Sequence, residues 1–227
     1  FHLCGSGLIL IEYIMPQSLT TLIAALIGAI IGSIGAVFVE SWLSERSKEK
    51  QSRKLIAQRY LFQLQDATES LWYRIENLKT YYRELETDSY FNFTTLYIIG
   101  RVLASERILV YDGVYPLLND LYPNLTKVFR TRIDKTLGKI GLKQYDRIAL
   151  AEALIETENS RYRLSGFLDF KKRYESEDHP ERAWLEPSIA AISSLSHENI
   201  RNEVSEIIYE VALKISKNIH VTSSLPE

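Results

Sequence analysis

Residues 61–85 read LFQLQDATESLWYRIENLKTYYREL, and this stretch decides the fold. A mostly apolar set, the Leu61–Leu85 seam, recurs in it at alternating steps of three and four for more than three heptads: Leu61, Leu64, Thr68, Leu71, Ile75, Leu78, Tyr82 and Leu85. Such spacing places the set along one face of a long helix and is typical of helices that pack together. Neither Gly nor Pro interrupts the chain between Gly35 and Gly100, which also favours helix. Because no stretch shows convincing strand alternation, we predict an all-α fold.

The Leu61–Leu85 seam could pack within one chain or between two. Within one chain it would meet the helices around Leu103 and Ile207, and a domain of this size needs such a seam for its core. Between two chains it would form a parallel coiled coil. The need for a core favours the intramolecular bundle, and the sequence leaves the coiled coil open.

An uncharged run precedes the seam. Residues 19–39 are 21 residues without Asp, Glu, Lys, Arg, His, Asn or Gln. As a helix such a run is about 31 Å long, which matches the hydrocarbon core of a bilayer. A signal peptide fits less well because no Lys or Arg precedes the run. A wholly buried helix of this length is rare in a chain of 227 residues. We therefore predict a single N-terminal transmembrane helix, followed by a long helix and a helical bundle.

The charges on the two sides of this predicted helix set its orientation. All 27 Lys and Arg residues lie at or after Arg46, whereas Glu12 is the only charged residue ahead of the uncharged run. The positive-inside rule then places the N-terminus outside and the C-terminal domain in the cytoplasm. Trp42 lies where an interfacial aromatic residue is expected. We predict a single-pass protein of the cell membrane, plasma or inner.

The predicted organisation has five parts. Met15 is the only methionine, and we expect the native chain to start there, which would make residues 1–14 upstream sequence. The parts are a short non-cytoplasmic N-terminus (1–18), the transmembrane helix (19–39), a charged juxtamembrane stalk (40–54), a cytoplasmic all-helical domain (55–220) and a tail (221–227).

Several helices are predicted beyond the seam from apolar periodicity and from Gly and Pro stop signals. They cover 93–110, a short segment ending at 121, 125–139, 144–161, a short segment with Phe167, Phe170 and Tyr174 facing inward, and a final helix from about 187 to about 219 with a kink at 196.

The motifs of common catalytic sites are missing from the sequence. It has no GxxxxGK phosphate loop, no GxGxxG after a strand, no GxSxG and no HExxH. His179, His197 and His220 lie far apart, and none has a Glu three residues before it, as bundle-type di-iron sites require. Cys4 is the only cysteine, which excludes disulfides within the chain and CxxC redox chemistry. We predict no catalytic residue, no cofactor and no metal ligand.

Charge balance limits the partners. Residues 41–227 contain 27 basic and 27 acidic residues, so the predicted cytoplasmic part is formally neutral. A neutral domain has no general attraction for nucleic acid, and we predict no nucleic-acid partner. No small-molecule ligand is inferred either.

Small residues form a stripe at every fourth position of the predicted transmembrane helix: Ala24, Gly28, Gly32 and Ala36, preceded by Thr20. Stripes of this kind let two helix backbones approach closely within lipid. Gly and Ala are common in membrane helices, however, so the stripe is compatible with self-association and does not require it. We name Ala24, Gly28, Gly32 and Ala36 as a candidate helix-packing interface.

A basic ladder is the second candidate contact site: Lys135, Lys139, Lys143 and Arg147. It could meet anionic lipid headgroups or a protein partner. Gly138 and Gly141 interrupt the ladder, and a solvated surface is the competing interpretation.

Paired carboxylates such as Glu152 and Glu156 have no His, Cys or Gly-rich loop beside them in the sequence, so an enzyme is the weaker hypothesis. We expect a membrane-anchored cytoplasmic interaction, scaffolding or regulatory protein. Its partners would be the lipid bilayer and either another protein or a second copy. The alternative is a membrane-tethered enzyme whose site sequence spacing does not reveal.

Overall fold

The computed structural model describes residues 17–176, 181–219 and 223–226, with the backbone alone for 17–37, 86 and 181. The chain divides into two compact units with the boundary between Ser52 and Arg53. The first unit contains the N-terminal part of one long helix, whose side chains from Phe38 to Ser52 are exposed.

Most described residues are helical, which confirms the predicted all-α class and the helical bundle. The helices are α1 (Gln17–Tyr81), α2 (Glu84–Thr87), α3 (Ser89–Tyr111), α4 (Tyr115–Leu121), α5 (Pro123–Lys139), α6 (Gln144–Ala153), α7 (Phe167–Glu175), α8 (Glu181–Ile192), a 3-10 turn (Ser193–Ser196) and α9 (Glu198–Ile219). Two short strands, β1 (Ile155–Glu158) and β2 (Arg161–Leu164), stand between α6 and α7.

The predicted transmembrane segment 19–39 belongs to α1. In the part of the chain that the structure describes, no helix has the length and apolar character that crossing a bilayer requires. The side chains of residues 17–37, and with them nearly all of the uncharged run, lie outside the described part. The transmembrane helix therefore stays a prediction, as does the placement of residues 1–18.

The Leu61–Leu85 seam lies in the core of its own chain. Its aliphatic members are at most 2% exposed and belong to one apolar cluster with residues of α3 and α9, including Leu103 and Ile208. Thr68 is also fully buried, and its hydroxyl donates a hydrogen bond to the Leu64 carbonyl one turn earlier (2.7 Å). Of the two packings that the sequence left open, the described structure therefore contains the intramolecular one.

Helix α3 is buried on several sides, as its sequence predicts. It begins after Asp88, whose carboxylate accepts a hydrogen bond from the Tyr90 amide (2.8 Å) and caps the helix. At Gly100 the helix approaches α6 so closely that a Cβ would lie 2.9 Å from a methyl carbon of Leu154. A side chain at this position would require the side chains of Leu150 and Leu154 to move.

The prediction of a helix over 144–161 is wrong beyond Ala153. Residues 155–164 form an antiparallel hairpin in which Ile155 pairs with Leu164 and Glu158 with Arg161. Its two-residue turn has positive φ at both Asn159 (50°) and Ser160 (62°). This combination is typical of the tight hairpin turns whose twist matches the strands. Each strand also offers a β-former, so the turn and the strands outweigh the helical pattern upstream.

The predicted final helix is also wrong in its start and its continuity. The structure has two helices in this region. The first, α8, begins at Glu181, before the predicted start at 187, contains Pro187, and ends where the 3-10 turn begins. Arg201 of α9 is buried, and its guanidinium donates hydrogen bonds to the carbonyls of Leu195 (2.8 Å) and Ser196 (2.9 Å). These bonds satisfy carbonyl groups that the break leaves without helical partners.

Candidate functional site

A cavity of about 740 Å³ opens between α1, α3 and the hairpin. We call it the arginine groove because four arginines from three separate elements line it: Arg59, Arg101, Arg161 and Arg163. The carboxylates of Asp66 and Glu158 also line it, so its charged residues have a formal excess of two positive charges (four minus two).

Local structure positions these side chains. Arg59, Gln63 and Asp66 follow one another at steps of four and three, so they lie on one side of α1, and all three are exposed. On the hairpin, the tight turn at Asn159 and Ser160 brings Arg161 and Arg163 back along the groove. The Tyr162 ring lies 5.0 Å from the ring of Tyr111 on α3, measured between centroids.

The four arginines differ in how they are neutralised. Arg101 forms an ion pair with Asp66 (2.6 Å). Arg163 contacts two carboxylates of the hairpin, Glu156 (3.1 Å) and Glu158 (2.7 Å). Arg59 and Arg161, by contrast, have no ion-pair partner among the described residues. Two guanidinium groups of the groove are therefore available to an external anion.

Tyr60 is affected by both unpaired arginines. Its hydroxyl donates a hydrogen bond to the Asp112 carboxylate (2.6 Å). Burial, this bond and the Asp112 charge raise the pKa of Tyr60 to about 12, while Arg59 and Arg161 act in the opposite direction. Both arginines therefore lie near enough to the Tyr60 hydroxyl for their positive charges to act on it. The phenol stays protonated at neutral pH and holds Asp112 as a fixed acceptor.

A second, smaller cavity of about 270 Å³ surrounds the carboxyl group of Glu106 on α3. Burial raises the pKa of Glu106, and Asp134 adds to the rise, whereas Arg130 lowers it from a distance of 3.9 Å. Asp134 itself is paired with Arg147 (2.9 Å). A carboxyl group with a raised pKa is suited to proton transfer, and this cavity is the observation that favours an enzyme.

The predicted basic ladder is divided between two helices. Lys135 and Lys139 belong to α5, whereas Lys143 precedes α6 and Arg147 lies within it, and Gly141 between them has a positive φ of 87°. Lys139 forms an ion pair with Glu203, and Arg147 forms the pair with Asp134 described above. The four residues therefore do not lie along one helix, and two of them are neutralised by carboxylates of the chain.

The predicted helix-packing stripe is not described by the structure, whereas the arginine groove is described but was not predicted. The side chains of Ala24, Gly28, Gly32 and Ala36 lie outside the described part of the chain. The arginine groove is not predicted by the sequence pattern, because the helical periodicity placed Arg161 and the residues before it at a helix end. One signal was present: the alternation Arg161, Tyr162, Arg163 directly after Asn159 and Ser160 is typical of a strand after a tight turn.

Neither a metal site nor a similarity to known proteins assigns a function to the described residues. Within the described ranges, no group of three or more His, Cys, Asp or Glu residues is arranged to hold a metal ion. No family model matches the chain, and comparisons with curated proteins and with solved structures yield no match either.

Proposed function

We propose that the protein is a membrane-anchored interaction module whose helical domain binds an anionic segment of a protein partner through the arginine groove. The observation that supports this proposal best is the pair of unpaired guanidinium groups, Arg59 and Arg161, on one concave surface. A guanidinium donates several hydrogen bonds in a fixed planar geometry that matches carboxylates and phosphates. The partner segment therefore contains acidic or phosphorylated residues.

The remaining residues of the groove suit such a role. Arg101 and Arg163 are already paired with carboxylates of the chain, so Arg59 and Arg161 are the guanidiniums of the groove that a partner can pair with. Gln63 and Asn159 add amide groups that donate or accept hydrogen bonds. The cavity volume falls within the usual range of binding pockets, about 300–1,000 Å³.

The anchor belongs to the same proposal. The uncharged run 19–39 and the absence of Lys and Arg before residue 46 support one transmembrane helix, with the N-terminus outside and the helical domain in the cytoplasm. The stripe Ala24, Gly28, Gly32 and Ala36 would allow two such anchors to associate. A binding domain held at the membrane then recruits its partner to that surface.

The enzyme alternative receives support from the raised pKa of Glu106 alone. The described lining of that cavity provides carboxylates and guanidiniums but no hydroxyl, thiol or imidazole group that could act as a nucleophile beside Glu106. The interaction module is therefore the better supported of the two functions.

Quantitative co-purification tests the proposal. The chain is recovered from detergent-solubilised membranes of its native cells, and bound proteins are measured by mass spectrometry. The test variant replaces Arg59 and Arg161 with Ala. The matched control replaces Arg132 and Arg182, which form ion pairs with Glu210 and Glu186 and do not line the groove.

A partner that binds the groove should be recovered with the unchanged chain and with the control, and at least tenfold less with the test variant. Recovery of the same proteins in the same amounts with all three chains would exclude the groove as the binding surface.

A further inference from the structure

Glu69 on α1 is a buried carboxylate without a cation. Its residue is 8% exposed, and it has no ion-pair partner in the described ranges of the chain. Burying a carboxylate is costly unless charges or hydrogen bonds compensate for the lost water, so Glu residues are rarely buried without a partner. The groups that do compensate Glu69 therefore indicate what this position is built to bind.

Most of these groups come from a short segment far along the chain, residues 223–226. The Ser223 hydroxyl donates a hydrogen bond to Oε1 of Glu69 (2.8 Å), and the Ser224 hydroxyl and amide (3.4 Å) donate to Oε2. Gln65, one turn earlier on α1, adds a bond from its side-chain amide to Oε1 (2.8 Å). Both carboxylate oxygens thus accept hydrogen bonds from neutral donors.

The rest of the segment is also recognised by side chains. The Tyr73 hydroxyl on α1 donates to the Ser224 carbonyl, and the Tyr209 hydroxyl on α9 donates to the Pro226 carbonyl (2.7 Å). Leu225 between them is 7% exposed. Proteins bind peptide segments by the same combination of contacts. Hydrogen bonds to the peptide backbone supply affinity, and a pocket for a buried side chain supplies specificity.

We propose that Glu69, Tyr73 and Tyr209 form a recognition site for a Ser-Ser-Leu-Pro segment, which residues 223–226 occupy in cis. We call it the segment site. A protein that presents a segment of the same chemistry binds there only after displacing residues 223–226. The surface is therefore separate from the arginine groove, and the chain's own segment controls access to it.

The ionisation of Glu69 agrees with this assignment. Burial raises the pKa of the Glu69 carboxyl, but the hydrogen bonds from Ser224, Gln65 and Ser223 lower it, and the net pKa lies below the ordinary value. The docked segment therefore favours the ionised carboxylate, as expected of a site that recognises hydroxyl and amide donors.

Competition between the cis segment and a free peptide tests the proposal. The probe is a fluorescein-labelled peptide, TSSLPE, with the sequence of residues 222–227, titrated by anisotropy against the chain in detergent micelles. Two altered chains free the site: one lacks residues 223–227, and the other is full-length with Leu225→Asp. Both are first checked for unchanged helicity by circular dichroism.

We expect each altered chain that keeps its helicity to bind TSSLPE at least tenfold more tightly than the unchanged chain, because a tethered segment competes at an effective concentration of about 1 mM. The peptide TAALPE should bind at least tenfold more weakly than TSSLPE. Adding Glu69→Gln to an altered chain should have a similar effect. Adding Glu206→Gln, an exposed carboxylate of α9 outside the site, should leave binding unchanged.

Three binding results, and one folding result, would overturn the proposal. The first is equal binding of TSSLPE by the unchanged and altered chains. The second is no binding by either altered chain, and the third is equal binding of TSSLPE and TAALPE. Loss of helicity in both altered chains would also overturn it, since the segment would then be part of the core and not an exchangeable ligand.

Discussion

Helix α1 contributes to two polar sites of opposite character. On one side, Arg59 and its neighbours line the arginine groove, which is open and has an excess of positive charge. On another side, Glu69 and Tyr73 belong to the segment site, which is centred on a negative charge and filled by residues 223–226. The two sites share a supporting helix and differ in whether the chain supplies the ligand.

The difference shows how burial of a charge depends on its ligand. Glu69 can be buried because the segment supplies donors for both of its carboxylate oxygens. Arg59 and Arg161 are exposed and have no ion-pair partner among the described residues, so their guanidiniums keep their water. In this comparison the filled site shows its ligand directly, whereas the open site shows only the charge that its ligand must have.

The largest effect should come from disrupting the helix that both sites share. Leu71 is 1% exposed in the seam, and Leu71→Asp places a carboxylate in the apolar core. We expect a loss of about 5 kcal/mol or more of unfolding free energy, from the lost packing and the buried charge together. Urea unfolding followed by circular dichroism measures it.

Leu55→Asp is the matched control, because Leu55 is 61% exposed on the same helix and the change should cost no more than about 0.5 kcal/mol. If Leu71→Asp left the domain folded and instead changed its sedimentation, the seam would pair between chains and the shared-helix comparison would fail.

The next effect concerns the open site. Replacing both Arg59 and Arg161 with Ala should lower the affinity for an acidic peptide about 100-fold, or about 2.7 kcal/mol, because each guanidinium forms charge-assisted hydrogen bonds. Anisotropy with labelled hexaglutamate and with a labelled phosphoserine peptide measures this and shows which anion the groove prefers. The domain's stability should not change, since neither arginine is paired within the described chain. If the substitutions left the affinity for each of the two probes unchanged, the groove would not be the anion-binding surface.

A smaller effect should appear at the filled site when pH is lowered. The docked segment lowers the pKa of Glu69, so docking is at full strength above the ordinary carboxyl pKa of about 4.3 and weakens as pH falls through the lowered value. The Leu225 amide resonance, followed by NMR, should report undocking as the acid is added.

Glu69→Gln should weaken docking by about 1–2 kcal/mol at neutral pH and remove this pH dependence, because the amide cannot ionise and accepts fewer hydrogen bonds. Glu206→Gln is the control and should retain the dependence. A Leu225 resonance that keeps the same pH response in Glu69→Gln would show that another group governs docking.

The smallest effect concerns the hairpin turn that places Arg161 in the groove. Ser160 has a φ of 62°, a conformation that glycine adopts more easily, so Ser160→Gly should stabilise the hairpin by about 0.5–1 kcal/mol. Ser176→Gly, at a φ of −69°, is the control and should stabilise nothing. Thermal unfolding compares the two, and a destabilised Ser160→Gly chain would contradict the turn geometry on which the placement of Arg161 depends.

The sequence by itself determined the helical class and the core face of α1. Heptad spacing from Leu61 to Leu78 is a local property of a helix, so it identifies the buried side chains before any partner helix is known. The last member of the seam, Leu85, lies in α2, because α1 ends at Tyr81. The end of α3 and the start of α4 followed closely for the same reason, since Gly113 and Pro116 are local stop and start signals, whereas α3 begins at Ser89, four residues before its predicted start. Where two local signals compete, as at residues 154–161, the helical pattern was misleading and the turn at Asn159 decided the structure.

Only the tertiary structure decided which polar residues act together. Arg59 and Arg161 are about a hundred residues apart in sequence, and Glu69 and Ser223 are separated by 154 residues, so no spacing rule connects them. Their meeting depends on how α1 packs against α3, α9 and the hairpin, which sums many weak apolar contacts over the whole domain. The same packing placed the seam inside one chain, because a domain of this size covers its apolar face with its own helices.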